Sequence, residues 1–108
     1  MADADAADRQ RLFERFGRSL AANDTVYSEG EPATECFLLH EGRVRLVKRI
    51  RGAERSLTVL RPGDLFGEDA LLPRVTRTAS AVALTDTRVL ALDRPTFGVL
   101  LSTSPEVA

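Results

Sequence analysis

The chain has 108 residues, the size of one domain built around one hydrophobic core. Hydrophobic residues make up 44% and charged residues 29%, which is typical of a globular chain and excludes a disordered or membrane-embedded one. Its 15 basic and 16 acidic residues leave a formal net charge of -1, so overall charge predicts neither nucleic acid nor an anionic lipid surface as a partner.

Cysteine content and the N-terminal residues indicate the compartment. The single cysteine, Cys36, excludes an internal disulfide framework and a multi-cysteine zinc site, and it is typical of a reducing compartment. The first twenty residues carry Asp3, Asp5 and Asp8 and lack a continuous apolar run, which excludes a secretory signal. No later stretch is long enough to span a bilayer. We expect a cytoplasmic chain with no membrane partner.

The N-terminal segment predicts a leader and a helix. After Met1, residues 2–7 are only Ala and Asp, so residues 1–7 are predicted to be a disordered leader. From Asp8 to Leu20 the large apolar residues recur at helical spacing, which predicts a short amphipathic helix. Its predicted apolar stripe consists of Leu12, Phe13, Phe16 and Leu20.

After Asn23 the pattern changes to short runs of β-branched and aromatic residues. Glycines separate these runs at intervals of about ten residues, the spacing of an all-β sandwich or barrel. The sequence therefore predicts at least six strands in one sheet system. They are Thr25–Ser28, Cys36–His40, Arg43–Arg51, Arg55–Arg61, Thr78–Leu84 and Arg88–Leu92.

Two short helices are predicted within and after the β region. In Phe66–Leu72 a glycine leads into residues that suit one helical turn. A closing helix begins after Asp93, its predicted cap, and ends at Ser104-Pro105. Its first turn holds Pro95, and its inner face is predicted to carry Phe97, Leu100 and Leu101. We expect one domain over residues 8–104 and a tail over residues 105–108.

The sequence offers no constellation for catalysis or for a metal ion. The only histidine, His40, lies four residues from Cys36 on one predicted strand, about 13 Å away at the usual rise per residue. No Ser occupies a glycine-flanked elbow between a strand and a helix. We therefore predict no catalytic residue, no metal site and no enzyme.

Basic residues cluster between Arg43 and Arg55. They alternate with aliphatic residues, which predicts a solvated face of a hairpin that also protects an edge strand. The alternative is a docking surface for an acidic partner or for phosphates, although no aromatic residues are interleaved for base stacking.

The segment Phe66–Ser80 carries residues suited to a sugar phosphate. Gly67 allows a close backbone approach, and the following turn offers amide groups and a positive dipole end to an anion. Glu68 lies at the same end, and Arg77 and Thr78 follow after a loop. A guanidinium and a hydroxyl donate to phosphate oxygens, and a carboxylate accepts from a sugar hydroxyl.

From about Leu12 to Leu101 the chain resembles a cyclic nucleotide-binding domain, the module of catabolite-activator-type regulators, cAMP-dependent kinase regulatory subunits and cyclic nucleotide-gated channels. The family's phosphate-binding cassette resembles G-E-x-A-L, then six residues between Ala and Arg, then Arg-Thr/Ser/Ala-Ala. The matching residues are Gly67, Glu68, Ala70, Leu71, Arg77, Thr78 and Ala79. The resemblance implies a mainly β fold, a double-stranded β-helix or jelly-roll barrel, with short helices at the N-terminus, in the cassette and at the C-terminus.

The resemblance also implies a role for each cassette side chain. Glu68 would accept a hydrogen bond from the ribose 2′-hydroxyl, and Arg77 would pair with the cyclic phosphate. Thr78 would donate to a phosphate oxygen and, with cGMP, to the guanine. As an exposed pocket residue, Arg77 is expected to be replaceable by Ala with loss of binding and almost no change in melting temperature.

Further contacts are implied by backbone amides and by apolar residues. The amides of Gly67, Asp69 and Ala70 would cap the phosphate, and Leu46 and Leu57 would line the barrel under the base, as strand alternation also predicts. Asp69 stands where the family usually has an apolar residue. Its carboxylate would weaken phosphate binding by like-charge repulsion unless it points to solvent.

The sequence thus predicts a non-enzymatic sensor domain that binds a 3′,5′-cyclic purine nucleotide, cAMP or cGMP with cAMP favoured, without a cofactor. Phosphate capture would pull the short helix and Asp93–Ser104 inward, which would act on an effector domain or protein partner outside this chain. The domain itself would not contact nucleic acid. The alternative is a ligand-free docking or dimerisation module with the same barrel; the oligomeric state stays open, with a homodimer as one option.

Overall fold

Residues 10–103 are described by the computed structural model, with side chains described for residues 10–99. The predicted leader, residues 1–7, and the predicted tail, residues 105–108, lie outside the described residues. The strands in chain order are β1 (Gly17–Leu20), β2 (Thr25–Tyr27), β3 (Glu35–Glu41), β4 (Val44–Ile50), β5 (Ala53–Leu60), β6 (Leu65–Phe66), β7 (Ser80–Ala83) and β8 (Thr87–Asp93). The helices are α1 (residues 10–16), a 3-10 helix (Glu68–Leu71) and α2 (Arg94–Thr103).

The strands form two antiparallel four-stranded sheets, with the orders β1-β8-β3-β6 and β2-β7-β4-β5. This is the jelly roll that the resemblance implies. The expectation of one sheet system is corrected to two sheets, because each sheet buries one face against the other. Inward side chains of both sheets form the main core cluster: Tyr27, Phe37, Leu39, Val44, Phe66, Ala81 and Val89.

The first helix ends earlier than predicted. It ends at residue 16, and Gly17–Leu20 is the edge strand β1, paired with β8 from Gly17↔Leu90 to Leu20↔Thr87. Glycine weakens a helix, and a Cβ at Gly17 would lie 2.3 Å from the Phe13 carbonyl oxygen. The four predicted stripe residues therefore divide: Leu20 packs on the main core, and the other three pack on a second cluster beside α2.

All six predicted strands are present, with ends that differ by at most two residues. β1 and β6 were missed, since β1 was assigned to the helix and β6 has only two residues, too few to show an alternating period. The predicted strand Thr78–Leu84 begins two residues later, at Ser80, so Thr78 lies in the preceding loop.

The closing helix is confirmed. The Thr96 amide donates to Asp93 Oδ1 at 2.9 Å, as expected for a capping residue. Hydrogen bonds from Thr96 lower the pKa of Asp93, and the larger effect comes from its side chain and the smaller from its amide. Phe97 is buried in the second cluster, while the Leu100 and Leu101 side chains and Ser104-Pro105 lie outside the described residues. Within residues 10–103, no helix is both long and apolar enough to cross a membrane.

Candidate functional site

The candidate site is built on the turn between β6 and the 3-10 helix. Gly67 has φ +71°, in the left-handed region that favours glycine. A Cβ there would lie 2.9 Å from Arg77 Nη1 and 3.1 Å from Phe37 Cδ2. Glycine is therefore required at this position both by the backbone conformation and by the lack of space.

Arg77 is buried under this turn, with only 4% of its surface exposed. Its Nη1 donates to the Gly67 carbonyl and to Asp69 Oδ1, both at 2.8 Å, and its Nη2 donates to the Glu35 carbonyl. Its guanidinium carbon lies 4.1 Å from the centroid of the Tyr27 ring, a cation–π contact. The expectation of an exposed arginine is therefore wrong, because turn, strand and aromatic core enclose this side chain.

Tyr27 forms the floor under the guanidinium. It stacks with Phe37 at a centroid distance of 5.8 Å, so the main core directly supports the site. Burial raises the pKa of Tyr27 to about 12, although the Arg77 charge acts in the opposite direction. The ring is therefore neutral at physiological pH and presents its π-face to the cation.

The backbone around Arg77 is anchored by an isolated bridge that sequence patterns did not reveal. The Arg77 amide donates to the Glu31 carbonyl at 2.7 Å, and the Arg77 carbonyl accepts from the Gly30 amide at 2.9 Å. Pro32 and Thr76 form an antiparallel bridge beside these bonds. The loop before β7 is thereby fixed against the loop before β3.

Asp69 bridges two residues of the predicted phosphate site. Its Oδ1 accepts from Arg77 Nη1 at 2.8 Å, and its Oδ2 lies 3.4 Å from the Thr78 amide nitrogen. Only 21% of the Asp69 side chain is exposed. The alternative in which this carboxylate points away to solvent is wrong, because Arg77 holds it inward.

The other cassette residues lie on the same turn. The side chains of Glu68 and Thr78 are exposed, while Ala70 is buried. The Ala70 amide donates to the Gly67 carbonyl at 3.2 Å within the turn, and its contact with a phosphate stays a prediction. The expected ligand contacts of Glu68, Thr78 and the remaining amides stay predictions.

The two leucines predicted to lie under the base differ in position. Leu46 is half-buried and packs against the main core, as alternation predicts. Leu57 is 51% exposed and lies at the shift in register between the pairs Leu46↔Thr58 and Val47↔Ser56. The extra residue interrupts alternation in β5. The contact of Leu57 with a base stays a prediction.

Lys48 is a residue of the site that sequence reasoning missed. It was assigned to the solvated hairpin face, but its Nζ donates to the Thr78 carbonyl at 2.8 Å. Lys48 alternates in step with Val44 and Leu46 along β4, and the extra residue at the shift after Leu46 lies in β5, so strand alternation by itself was the signal that could have placed Lys48 on their face. The arginines at positions 43, 49, 51 and 55 are exposed, while half-buried Arg45 pairs with Glu54 at 3.1 Å.

Comparison with known proteins identifies the family. The family model described as the cyclic nucleotide-binding domain matches residues 17–104. This chain belongs to the cyclic nucleotide-binding domain family. The resemblance inferred from the cassette is thereby confirmed.

Individual relatives agree with the family assignment. The chain is 42% identical to the Cyclic AMP receptor protein of Thermus thermophilus over 84 residues, which are 77% of this chain and 39% of that protein. It is 33% identical over 85 residues to the CRP-like cAMP-activated global transcriptional regulator of Mycobacterium tuberculosis, covering 78% of this chain and 38% of that one. The chain thus spans well under half the length of these curated relatives.

A solved structure gives the same result for the fold. The crystal structure of Thermus thermophilus Catabolite Activator Protein superposes with a TM-score of 0.78 at 35% identity, over 94% of this chain and 48% of that chain. The chain is therefore a cyclic nucleotide-binding domain of the type found in such regulators.

Proposed function

We propose that this chain is a non-enzymatic sensor domain that binds a 3′,5′-cyclic purine nucleotide, with cAMP preferred over cGMP. The observation that carries the proposal is that Glu68, Arg77 and Thr78 meet at the Gly67 turn. Arg77 bonds the Gly67 carbonyl, Glu68 follows Gly67 directly, and Thr78 follows Arg77. The donor proposed for the phosphate and the residue proposed for the sugar hydroxyl thus belong to one turn.

Arg77 has hydrogen-bonding capacity to spare. Its Nε is buried and has no hydrogen-bond partner among the described residues. A buried donor without an acceptor is unfavourable, so an added acceptor at this place is stabilising. A phosphate oxygen is a suitable acceptor, because guanidinium groups bind phosphate through two parallel hydrogen bonds. This supports phosphate as the part of the ligand that Arg77 recognises.

The preference for cAMP is supported by the relatives, two of which are named for cAMP. Thr78, half-buried Leu46 and exposed Leu57 are the groups that the base would contact from this chain, and Lys48 beside Thr78 adds a donor at the rim. Neither a metal nor a cofactor is part of the proposal, and we propose the cytoplasm as the location.

The proposed signal leaves the site through β3. Arg77 Nη2 bonds the carbonyl of Glu35, and Glu35 pairs with Asp93 at the end of β8. Asp93 in turn caps α2 through Thr96. Movement of Arg77 on phosphate binding would therefore reach the start of α2 through two neighbouring strands. α2 would reposition an effector outside this chain by a shift in population.

The test is calorimetric titration of cAMP, and then of cGMP, into the chain up to millimolar nucleotide. Glu68→Gln removes the charged acceptor from an exposed side chain, so the fold should persist while affinity falls roughly ten- to a hundredfold. Glu54→Gln removes the same charge from β5 and should leave affinity unchanged. Saturable heat that Glu68→Gln leaves unaltered would contradict the assigned role of Glu68.

A ligand-free docking module is the second candidate. The ion pair between Arg77 and Asp69 favours this candidate, because it engages the proposed phosphate donor. The exposed aliphatic side chains of the β4–β5 hairpin favour it too; they are Ile50, Leu57 and Val59. This candidate predicts no heat with either nucleotide from a folded sample. It also predicts concentration-dependent self-association in sedimentation, or loss of partner binding when the hairpin aliphatics become Ser.

A further inference from the structure

The carboxylate of Asp69 occupies donors that a ligand phosphate would need. Its two oxygens face Arg77 Nη1 at 2.8 Å and the Thr78 amide nitrogen at 3.4 Å. Arg77 and Thr78 are the two residues that the cassette assigns to the phosphate. A carboxylate and a phosphate present similar pairs of acceptor oxygens to such a donor pair. We propose that Asp69 is an intramolecular competitor of the phosphate and that a cyclic nucleotide binds by displacing it; this inference rests on the proposed function.

Burial makes the competition direct. The Arg77 side chain is 3% exposed, while that of Asp69 is 21% exposed. The guanidinium is therefore almost completely enclosed, and the Asp69 carboxylate is the more exposed member of the ion pair. A phosphate that takes the Nη1 donor must displace one of its present partners, the Gly67 carbonyl or the Asp69 carboxylate.

Among those partners, Asp69 is the one that can leave. The Gly67 carbonyl is fixed by a left-handed turn beside buried Phe66, and the Glu35 carbonyl is fixed in β3. Both are backbone groups whose displacement would disturb a strand or the turn. Asp69 is a short side chain with two rotatable bonds, so it can change rotamer while the backbone stays in place.

Charge prevents both anions from sharing the site. An added phosphate at Arg77 would stand beside the Asp69 carboxylate, and like charges at that distance repel strongly where water is excluded. Glu68, the next residue, adds a further negative charge on the same turn. One guanidinium cannot neutralise all three groups, so phosphate binding favours movement of the Asp69 carboxylate away from Arg77.

The competition lowers apparent affinity without changing the intrinsic fit of the ligand. The nucleotide binds only the fraction of molecules in which Arg77 is released from Asp69, and apparent affinity falls in proportion to that fraction. Asp69 thus sets the concentration of nucleotide to which the domain responds. A purely structural partner of Arg77 would not have this effect.

The test compares calorimetric titrations of cAMP into the wild-type chain and into Asp69→Asn, which keeps the shape and one acceptor oxygen but removes the charge. We expect Asp69→Asn to bind cAMP roughly tenfold more tightly or better. Asp69→Leu, with the apolar residue type usual at this position in the family, provides a second variant if Asp69→Asn does not fold. Glu31→Gln is the matched control, because Glu31 contacts Arg77 through its backbone carbonyl; it should bind like wild type.

The outcomes separate the two proposals. The competition is supported if Asp69→Asn or Asp69→Leu binds cAMP more tightly than wild type while Glu31→Gln does not. Binding by an Asp69 variant when wild type shows none counts as tighter binding. Wild-type binding that both Asp69 variants match or weaken overturns the competition and leaves the sensor function intact. Tighter binding by Glu31→Gln as well would also overturn it, because general electrostatics would then explain the gain. Absence of binding in all folded variants, checked by circular dichroism, overturns the sensor function and the competition with it.

Discussion

Replacement of Arg77 by Ala should strongly destabilise the domain even without a ligand. The substitution removes the donors to the Gly67 and Glu35 carbonyls, leaves Asp69 without its countercharge and takes the cation off the Tyr27 ring. Breaking a buried pair by removal of one partner typically costs about 3 kcal/mol or more. We expect the free energy of unfolding to fall by about 3 kcal/mol, which corresponds to a melting temperature lower by roughly 12 °C for a domain of this size.

The assay is urea unfolding followed by circular dichroism, with thermal melts in the same buffer. Arg45→Ala is the matched control, because Arg45 forms a comparable 3.1 Å ion pair with Glu54 whose side chain is 54% exposed. Such a surface pair contributes less than about 1 kcal/mol, so this variant should melt close to wild type. Arg77→Lys keeps a cation without the fork and should fall between the two.

A free energy of unfolding for Arg77→Ala within about 1 kcal/mol of wild type would refute this reasoning. In that case the enclosed guanidinium would contribute no more than an exposed one, and the contacts of Arg77 with Gly67, Asp69 and Glu35 would not stabilise the free domain. A large loss shared equally by Arg45→Ala would refute it as well, since burial would then not distinguish the two arginines.

Two other substitutions test the turn and the cap of α2. Gly67→Ala forces a side chain into a left-handed conformation and places its Cβ 2.9 Å from Arg77 Nη1, so urea unfolding should show a loss of roughly 2 kcal/mol; wild-type stability would contradict the geometry. Asp93→Ala removes the acceptor of the Thr96 amide. Because the pKa of Asp93 is lowered in the folded state, its stabilisation is present above the carboxyl's ordinary pKa and is lost as pH falls through the folded value. In thermal melts from pH 7 to pH 2, the melting temperatures of wild type and Asp93→Ala should converge in acid. A difference in melting temperature that stays constant with pH would contradict this prediction.

Local patterns were sufficient for most of the strands and for the cassette. Alternation placed β3, β4 and β8 within two residues of their observed ends, because each strand buries one face and its side chains alternate. The spacing from Gly67 to Arg77 located the turn and the loop that approach each other. Such features are visible in sequence because they depend on residue types at fixed local distances.

Other features depended on contacts between distant segments. Gly17–Leu20 continues the apolar spacing of the first helix, yet it pairs with β8 because that edge is available some seventy positions later in the chain. The shift in register between Leu46 and Val47 places the extra residue Leu57 in β5 and leaves it exposed. Neither event has a local signal, since both follow from how whole strands fit together.

Alternation and turn residues indicate a small all-β domain, and the spacing between Gly67, Glu68 and Arg77 carries the family resemblance that implies a jelly roll with a phosphate-binding cassette. The state of that cassette depends on tertiary contacts. Arg77 is enclosed because β3, the Gly67 turn and Tyr27 meet around it, and Asp69 is its partner because the 3-10 helix faces that cage. Burial and ion pairing are properties of a meeting of several segments, and no single segment encodes them.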